Sequence, residues 1–161
     1  MSKVKTILKR FAYLREYKVL SDVTVKTSRG EHKFDHIMIG PFGILSLCCF
    51  NKKGELYGNE NDENFVLLDA KMNRTKTENL IRKAKEDERV LRALVTQAKL
   101  YNVKIDTAIV IENKGCKSLI PAAAVPVLQV SQLSKFLNTD KFEMDNKADA
   151  LGIVSAIEQG K

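Results

Sequence analysis

The chain has 161 residues, 44% of them hydrophobic and 29% charged, which suffices for one buried core and, at ordinary domain size, for a single domain over residues 1–161. A formal net charge of +7 permits attraction to an anionic partner such as nucleic acid, but it speaks to association rather than to fold. Three cysteines, two of them adjacent, make neither a disulfide framework nor a zinc spacing. No apolar run approaches the roughly 18 residues of a membrane span, and MSKVKTILKRFAYL lacks the features of a signal peptide, so a reduced cytoplasmic protein with no membrane partner is expected.

Leu8, Phe11, Ala12 and Leu14 recur near helical spacing among Lys and Arg, predicting a basic amphipathic helix over about 3–16. Val23 and Val25 alternate with polar neighbours through 19–27, Ser28-Arg29-Gly30-Glu31 supplies turn chemistry, and 32–39 is β-like again, so a hairpin follows. Gly40-Pro41-Phe42-Gly43 interrupts the chain, and 44–50 is an almost continuous apolar run suited to a strand covered on both faces. After the turn Asn51-Lys52-Lys53-Gly54, segments 55–57 and 64–69 predict a more exposed hairpin around the polar loop 58–63.

Leu80, Ala84, Asp87, Leu91 and Ala98 mark the stripe of a long helix, with Thr77 in its N-cap region. Segments 107–111 and 126–130 read as strands, 132–138 as a short helix, and Leu151, Val154 and Ile157 place a last helix at about 147–158. Strands joined across a long helix require a crossover, so the fold class is α/β with a mixed sheet and helices on its faces.

Charge is unevenly spread. Residues 1–30 carry eight Lys/Arg against Glu16 and Asp22, and residues 71–99 carry nine against Glu78, Glu86, Asp87 and Glu88, whereas 51–70 are net acidic. Such runs serve either as solvated faces or as phosphate-contacting surfaces.

Residues 34–56, FDHIMIGPFGILSLCCFNKKGEL, combine Asp35-His36, the turn Gly40-Pro41-Phe42-Gly43, and Asn51 and Gly54 after the next strand. The block resembles the nuclease-related domain (NERD) family of the PD-(D/E)XK nuclease-like superfamily, in which an Asp-His pair is followed by Gly-Pro-x-Gly and by a strand ending in Glu-x-Lys-Asn. Segment 17–25 resembles the family's opening strand, 107–111 a later core strand, and VPVLQVSQLSKFL its closing strand and helix, so the resemblance is strongest over 11–138. It implies a restriction-endonuclease-like core with a mixed central β-sheet flanked by helices.

In that family the strand aspartate and the Glu supply hard oxygen ligands to Mg²⁺, and the Lys supplies the cation that phosphodiester hydrolysis needs. Asp35 matches the first. The Glu position falls on Cys48 and the Lys position on Phe50, which a period of two puts on one face. A thiolate is a soft ligand ill suited to Mg²⁺, and a phenyl ring neither binds metal nor stabilises an oxyanion. The family's Gln before Asp-His and its Asn-Pro-x-x-Gln opening the long helix correspond to Lys33 and to Asn79-Leu80-Ile81-Arg82-Lys83, and the first-helix acid has no counterpart in 1–15.

The resemblance therefore implies a non-catalytic domain with no cofactor, either binding nucleic acid or acting as a scaffold. One alternative is a Mg²⁺-dependent DNA endonuclease with a rearranged site, in which Asp35 is the surviving ligand, Lys83 the migrated lysine, and Glu55 or Glu86 a lent carboxylate. Another is a protein-interaction module using the N-terminal helix or the 55–69 hairpin.

Lys71, Arg74, Lys76, Arg82, Lys83 and Arg89 are the candidate DNA-phosphate contacts, without interleaved aromatic residues in that stretch. His36 is expected to pack or hydrogen-bond on the face opposite Asp35, His32 to be exposed, and Cys48 and Cys49 to serve as small buried hydrophobes. Cys116, in a Gly-containing turn, is the candidate modifiable thiol.

Overall fold

The computed structural model describes residues 2–121 and 125–161. Helix α1 (Lys3–Tyr13) leads into strands β1 (Lys18–Thr27), β2 (Gly30–Gly40), β3 (Gly43–Phe50), β4 (Gly54–Tyr57), β5 (Asn64–Leu68) and β6 (Arg74–Glu78). Helix α2 (Leu80–Gln97) then returns the chain to β7 (Ile105–Ile111), β8 (Cys116–Leu119) and β9 (Val127–Gln129), and α3 (Leu133–Leu137) and α4 (Ala150–Gln159) close it.

The strands form two mixed sheets. The central one has the order β1-β2-β3-β7-β9, antiparallel through β3 and parallel from there, because α2 and the second sheet carry the chain from the end of β3 back to the start of β7. The other has the order β6-β5-β4-β8. Helices α1 and α3 bury Leu8, Phe11, Leu133 and Leu137 on one face of the central sheet, while α2 and α4 bury Val90, Leu91, Val95, Ile153 and Ile157 on the other. A mixed central sheet with helices on both faces is the expected restriction-endonuclease-like arrangement.

Two strands lie outside the sequence expectation. β6 occupies a stretch expected to be loop, because Arg74-Thr75-Lys76-Thr77-Glu78 shows no apolar alternation to announce a strand; it forms the edge of the second sheet by pairing antiparallel to β5. The helix cap accordingly moves from Thr77 to Asn79, whose side-chain oxygen accepts from the N–H groups of Ile81 and Arg82. β8 takes Cys116 out of the expected turn and buries it against Leu56 and Phe65, with burial pushing its thiol pKa up; the expectation of a modifiable thiol there is corrected.

In the second sheet Leu56, Phe65, Leu67 and Cys116 face the core. The register puts Leu119, Tyr57, Val66 and Lys76 in one row of the outer face and Lys117, Glu55, Leu68 and Arg74 in the next.

The β2–β3 turn depends on Gly43, which adopts φ +127° and whose Cβ, if present, would lie 2.2 Å from the Lys104 carbonyl oxygen. That close approach lets Ile44 donate its N–H to the same carbonyl at 2.8 Å, fixing the start of β3 beside β7.

Candidate functional site

Strands β2 and β3 are paired from Gly40↔Gly43 to His36↔Leu47 and no further. The β1–β2 ladder passes over Asp22 and Asp35, and Asp22 takes the left-handed φ of +53° that Asp tolerates better than most residues. The irregularity shifts side-chain alternation, so Phe34 packs with Ile37 and Ile39 instead of facing away from them.

Asp35, half-buried at the fork where the strands part, accepts a hydrogen bond from the Cys49 N–H through Oδ2 at 2.9 Å. Its carboxylate thus takes over a backbone donor that the broken ladder leaves unpaired. His36 is buried on the other side with Nδ1 2.8 Å from the Ser21 hydroxyl, and burial lowers its pKa despite the charges of Asp35 and Asp22.

Cys48 and Phe50 both face α2, in one apolar cluster with Leu80, Ile81 and Ala84. Cys49 points the other way, against the α1 side of the sheet. Desolvation pushes both thiols far above their ordinary pKa, reinforced by Asp87 at Cys48 and by Glu112 and Asp35 at Cys49, so each is a neutral thiol.

Asp87 sits in the middle of this face with no solvent exposure. Four donors reach its carboxylate: His32 Nε2 at 2.6 Å and Lys83 Nζ at 2.9 Å on Oδ1, Ser46 Oγ at 3.2 Å and Cys48 Sγ at 3.0 Å on Oδ2. Desolvation alone would raise its pKa, but the His32 hydrogen bond, the Lys83 charge and the Cys48 hydrogen bond outweigh it and hold Asp87 ionised, below the usual carboxylate range. Burial likewise disfavours the Lys83 ammonium, and the Asp87 charge overcomes this and raises its pKa. Lys83 Nζ also donates to the Lys33 carbonyl at 2.8 Å. With lone pairs and protons matched, the network meets the condition under which a buried charge is tolerated.

These contacts revise two sequence expectations. His32 is not exposed; its side chain is 12% accessible and anchors β2 to α2 through Asp87. Lys83 turns inward and is withdrawn from the phosphate-contacting set. Arg89 is held by Glu86, with Nε 2.9 Å from Oε2.

Of the remaining cations, Lys71, Arg74, Lys76 and Arg82 are exposed, and Arg82 spends one N–H on the Asn61 carbonyl. Lys76 and Arg82 border a shallow depression of about 600 Å³ that also meets His32, Thr77 and Asn79. Its walls carry both signs, with Glu63, Glu78 and Glu86 beside the cations.

The donor set does not fit Mg²⁺, which demands near-octahedral oxygen ligation. Asp35 already uses one oxygen on Cys49, both oxygens of Asp87 are filled, and Cys48 offers only a protonated soft sulfur. Of the carboxylates expected to be lent, Glu55 lies on the outer face of the second sheet, bonded by the Tyr57 hydroxyl, and Glu86, on the wall of the depression, is paired with Arg89. Glu112, just past β7, does feel Asp35; burial first and then that charge raise its pKa. Among the described residues no three His, Cys, Asp or Glu side chains form a metal-holding group.

Sequence reasoning placed Asp87 in the helical stripe without assigning it a role. The signal was the stripe's one carboxylate, four residues after a lysine.

In comparison with known proteins, a family model described as nuclease-related domain matches residues 2–112. No curated protein and no solved structure matches the chain. Among the described residues, no helix is long and apolar enough to cross a membrane.

Proposed function

Because the chain belongs to the nuclease-related domain family while its inherited site is filled by an internal network, we propose that it is a non-cleaving member that binds nucleic acid through phosphate contacts. The observation that carries the reading is the saturation of Asp87. Three of its four donors come from positions that face α2 in β2 and β3, including Cys48, where the family's Glu would stand, and the fourth, Lys83, comes from α2 itself. Lys83 supplies the positive charge that balances the buried carboxylate, so the cluster is satisfied without an added cation.

The chemistry agrees. Hydrolysis of a phosphodiester needs metal-held oxygens and a cation free to meet developing charge, and each such group is worth roughly 10²–10³ in kcat. Here the aspartate is a strut for the Cys49 amide and the lysine is tied to Asp87. What remains accessible is positive charge: Lys71, Arg74, Lys76 and Arg82, none in an ion pair among the described residues. Phosphate contacts of this kind position a nucleic acid without reading its sequence.

The test uses the full chain with duplex DNA at several salt concentrations, and with supercoiled and single-stranded DNA in Mg²⁺ or Mn²⁺. Binding is expected to weaken with salt. Replacing Arg74, Lys76 and Arg82 by Gln should lower the log–log salt slope by about one for each phosphate contact removed. No cleavage is expected above that of an Asp35→Ala control. Cleavage that depends on Asp35 would establish the rearranged endonuclease instead, and salt-independent binding unchanged by the three substitutions would remove the phosphate surface and favour a protein-interaction module.

A further inference from the structure

The outer face of the second sheet has features that the cleft lacks. Tyr57 and Leu119, side by side in β4 and β8, are 39% and 38% exposed, and Val66 and Leu68 in β5 are half-buried beside them. An apolar centre thus reaches solvent on a rigid, hydrogen-bonded surface. Cations border it on both sides: Lys117 on β8, and Arg74 and Lys76 on β6. Three inter-strand steps separate those edges, about 14 Å. The one acid within the two rows, Glu55, is engaged by the Tyr57 hydroxyl.

The charge decides the occupant. A second copy of the chain would bring one net-positive face against another, which opposes stacking of two such sheets. A partner that fits must be anionic along its length and must offer flat apolar groups to the centre. Duplex DNA offers the charge but keeps its base faces inside the stack, whereas a single strand exposes them, and a base stacks on an aromatic ring whatever its sequence.

We propose that the outer face of the β6-β5-β4-β8 sheet is a platform for single-stranded nucleic acid, with a base stacked on Tyr57 and phosphates against Lys117 on one side and Arg74 and Lys76 on the other. The proposal rests on the nucleic-acid reading above and narrows it to an unpaired strand. Tyr57 is the positioning element of the platform, and Val66, Leu68 and Leu119 extend the surface that the neighbouring sugar and base cover.

The experiment is fluorescence anisotropy on the full chain with a labelled mixed-sequence strand of about 15 nucleotides, within the range that single-strand-binding folds cover. The strand is used as DNA, as RNA, and as the DNA duplex, which separates the two sources of single strand. Tyr57→Ala should weaken single-strand binding about 5- to 150-fold, the range of one lost stacking contact, and leave duplex binding within about twofold. Tyr57→Phe, which also releases Glu55 but keeps the ring, should stay near the parent chain.

If Tyr57→Ala binds single strands as the parent does while the Arg74, Lys76 and Arg82 replacements weaken binding, the platform is overturned and the phosphate reading stands. If the parent chain binds none of the three probes, the phosphate reading itself is overturned. A concentration-dependent dimer that Tyr57→Ala abolishes would reassign the face to a second copy and overturn the proposal.

Discussion

Replacing Asp87 by Leu is expected to destabilise the protein by about 3–5 kcal/mol, the cost of leaving one member of a buried ion pair uncompensated. Lys83 would keep its ammonium at 17% accessibility with only the Lys33 carbonyl as partner, and the Ser46 hydroxyl and Cys48 thiol would lose their acceptor. For a chain of this length each kcal/mol lowers Tm by about 2–4 °C, so a fall on the order of 10 °C is expected, with a lower urea midpoint at unchanged slope.

The double replacement Lys83→Met with Asp87→Leu should recover much of the loss, since an apolar substitute for a complete buried pair is often neutral or stabilising. A double variant no better than Asp87→Leu would show that Lys83 is not the partner that matters.

The pH dependence follows from the same network. Asp87 has a native pKa depressed below its unfolded value near 3.8, so its contribution is complete above that pH and is lost as pH falls through the native value. Lys83 has a native pKa raised above 10.5, so its contribution is complete below that pH and is lost as pH rises through the native value. Chemical denaturation from pH 3 to 11 should therefore show the parent losing stability at both ends relative to the double variant.

The second expected result concerns a carboxylate introduced at position 48. Cys48→Glu restores the residue type that the resemblance places there, but Cys48 Sγ lies 3.0 Å from Asp87 Oδ2. Two carboxylates at that spacing in a buried cluster repel, and one must take up a proton or the cluster must open. The single variant is expected to lose several kcal/mol near neutral pH, on the order of the cost of an uncompensated buried charge. Adding Asp87→Asn should return part of that loss, which a double-mutant cycle reads as a favourable coupling. Additive losses would contradict direct opposition between the two positions. Cys48→Glu alone is thus expected to lower stability unless Asp87 changes with it.

How far the sequence revealed this architecture depended on where each contact lies along the chain. Asp35-His36, the Gly40–Gly43 turn and the apolar β3 run are contiguous, so their periodicity and punctuation exposed the hairpin and the shared face of Cys48 and Phe50. The polar edge strand β6 was invisible because it has no apolar residue and four of its five residues are exposed, so no alternation marks it. The Asp87 network was hidden for another reason: His32, Ser46 and Cys48 are separated from Asp87 by 55, 41 and 39 residues. Only the crossover of α2 over the central sheet brings them together, and a single sequence does not encode that distance. Lys83 was legible as a residue facing the site, but its commitment to Asp87 was not.

Asn79 gives the chain one more property. Its side-chain amide nitrogen donates to the carbonyls of Asn59, Glu60 and Asp62 at 3.3, 3.1 and 2.7 Å, while its oxygen receives the first free amides of α2. One buried side chain therefore clasps the tip of the β4–β5 connection and starts the helix that carries Lys83 and Asp87. Removing that side chain strikes both at once, so Asn79→Ala is expected to speed amide hydrogen exchange at Ile81 and Arg82 and to loosen the connection in the same step.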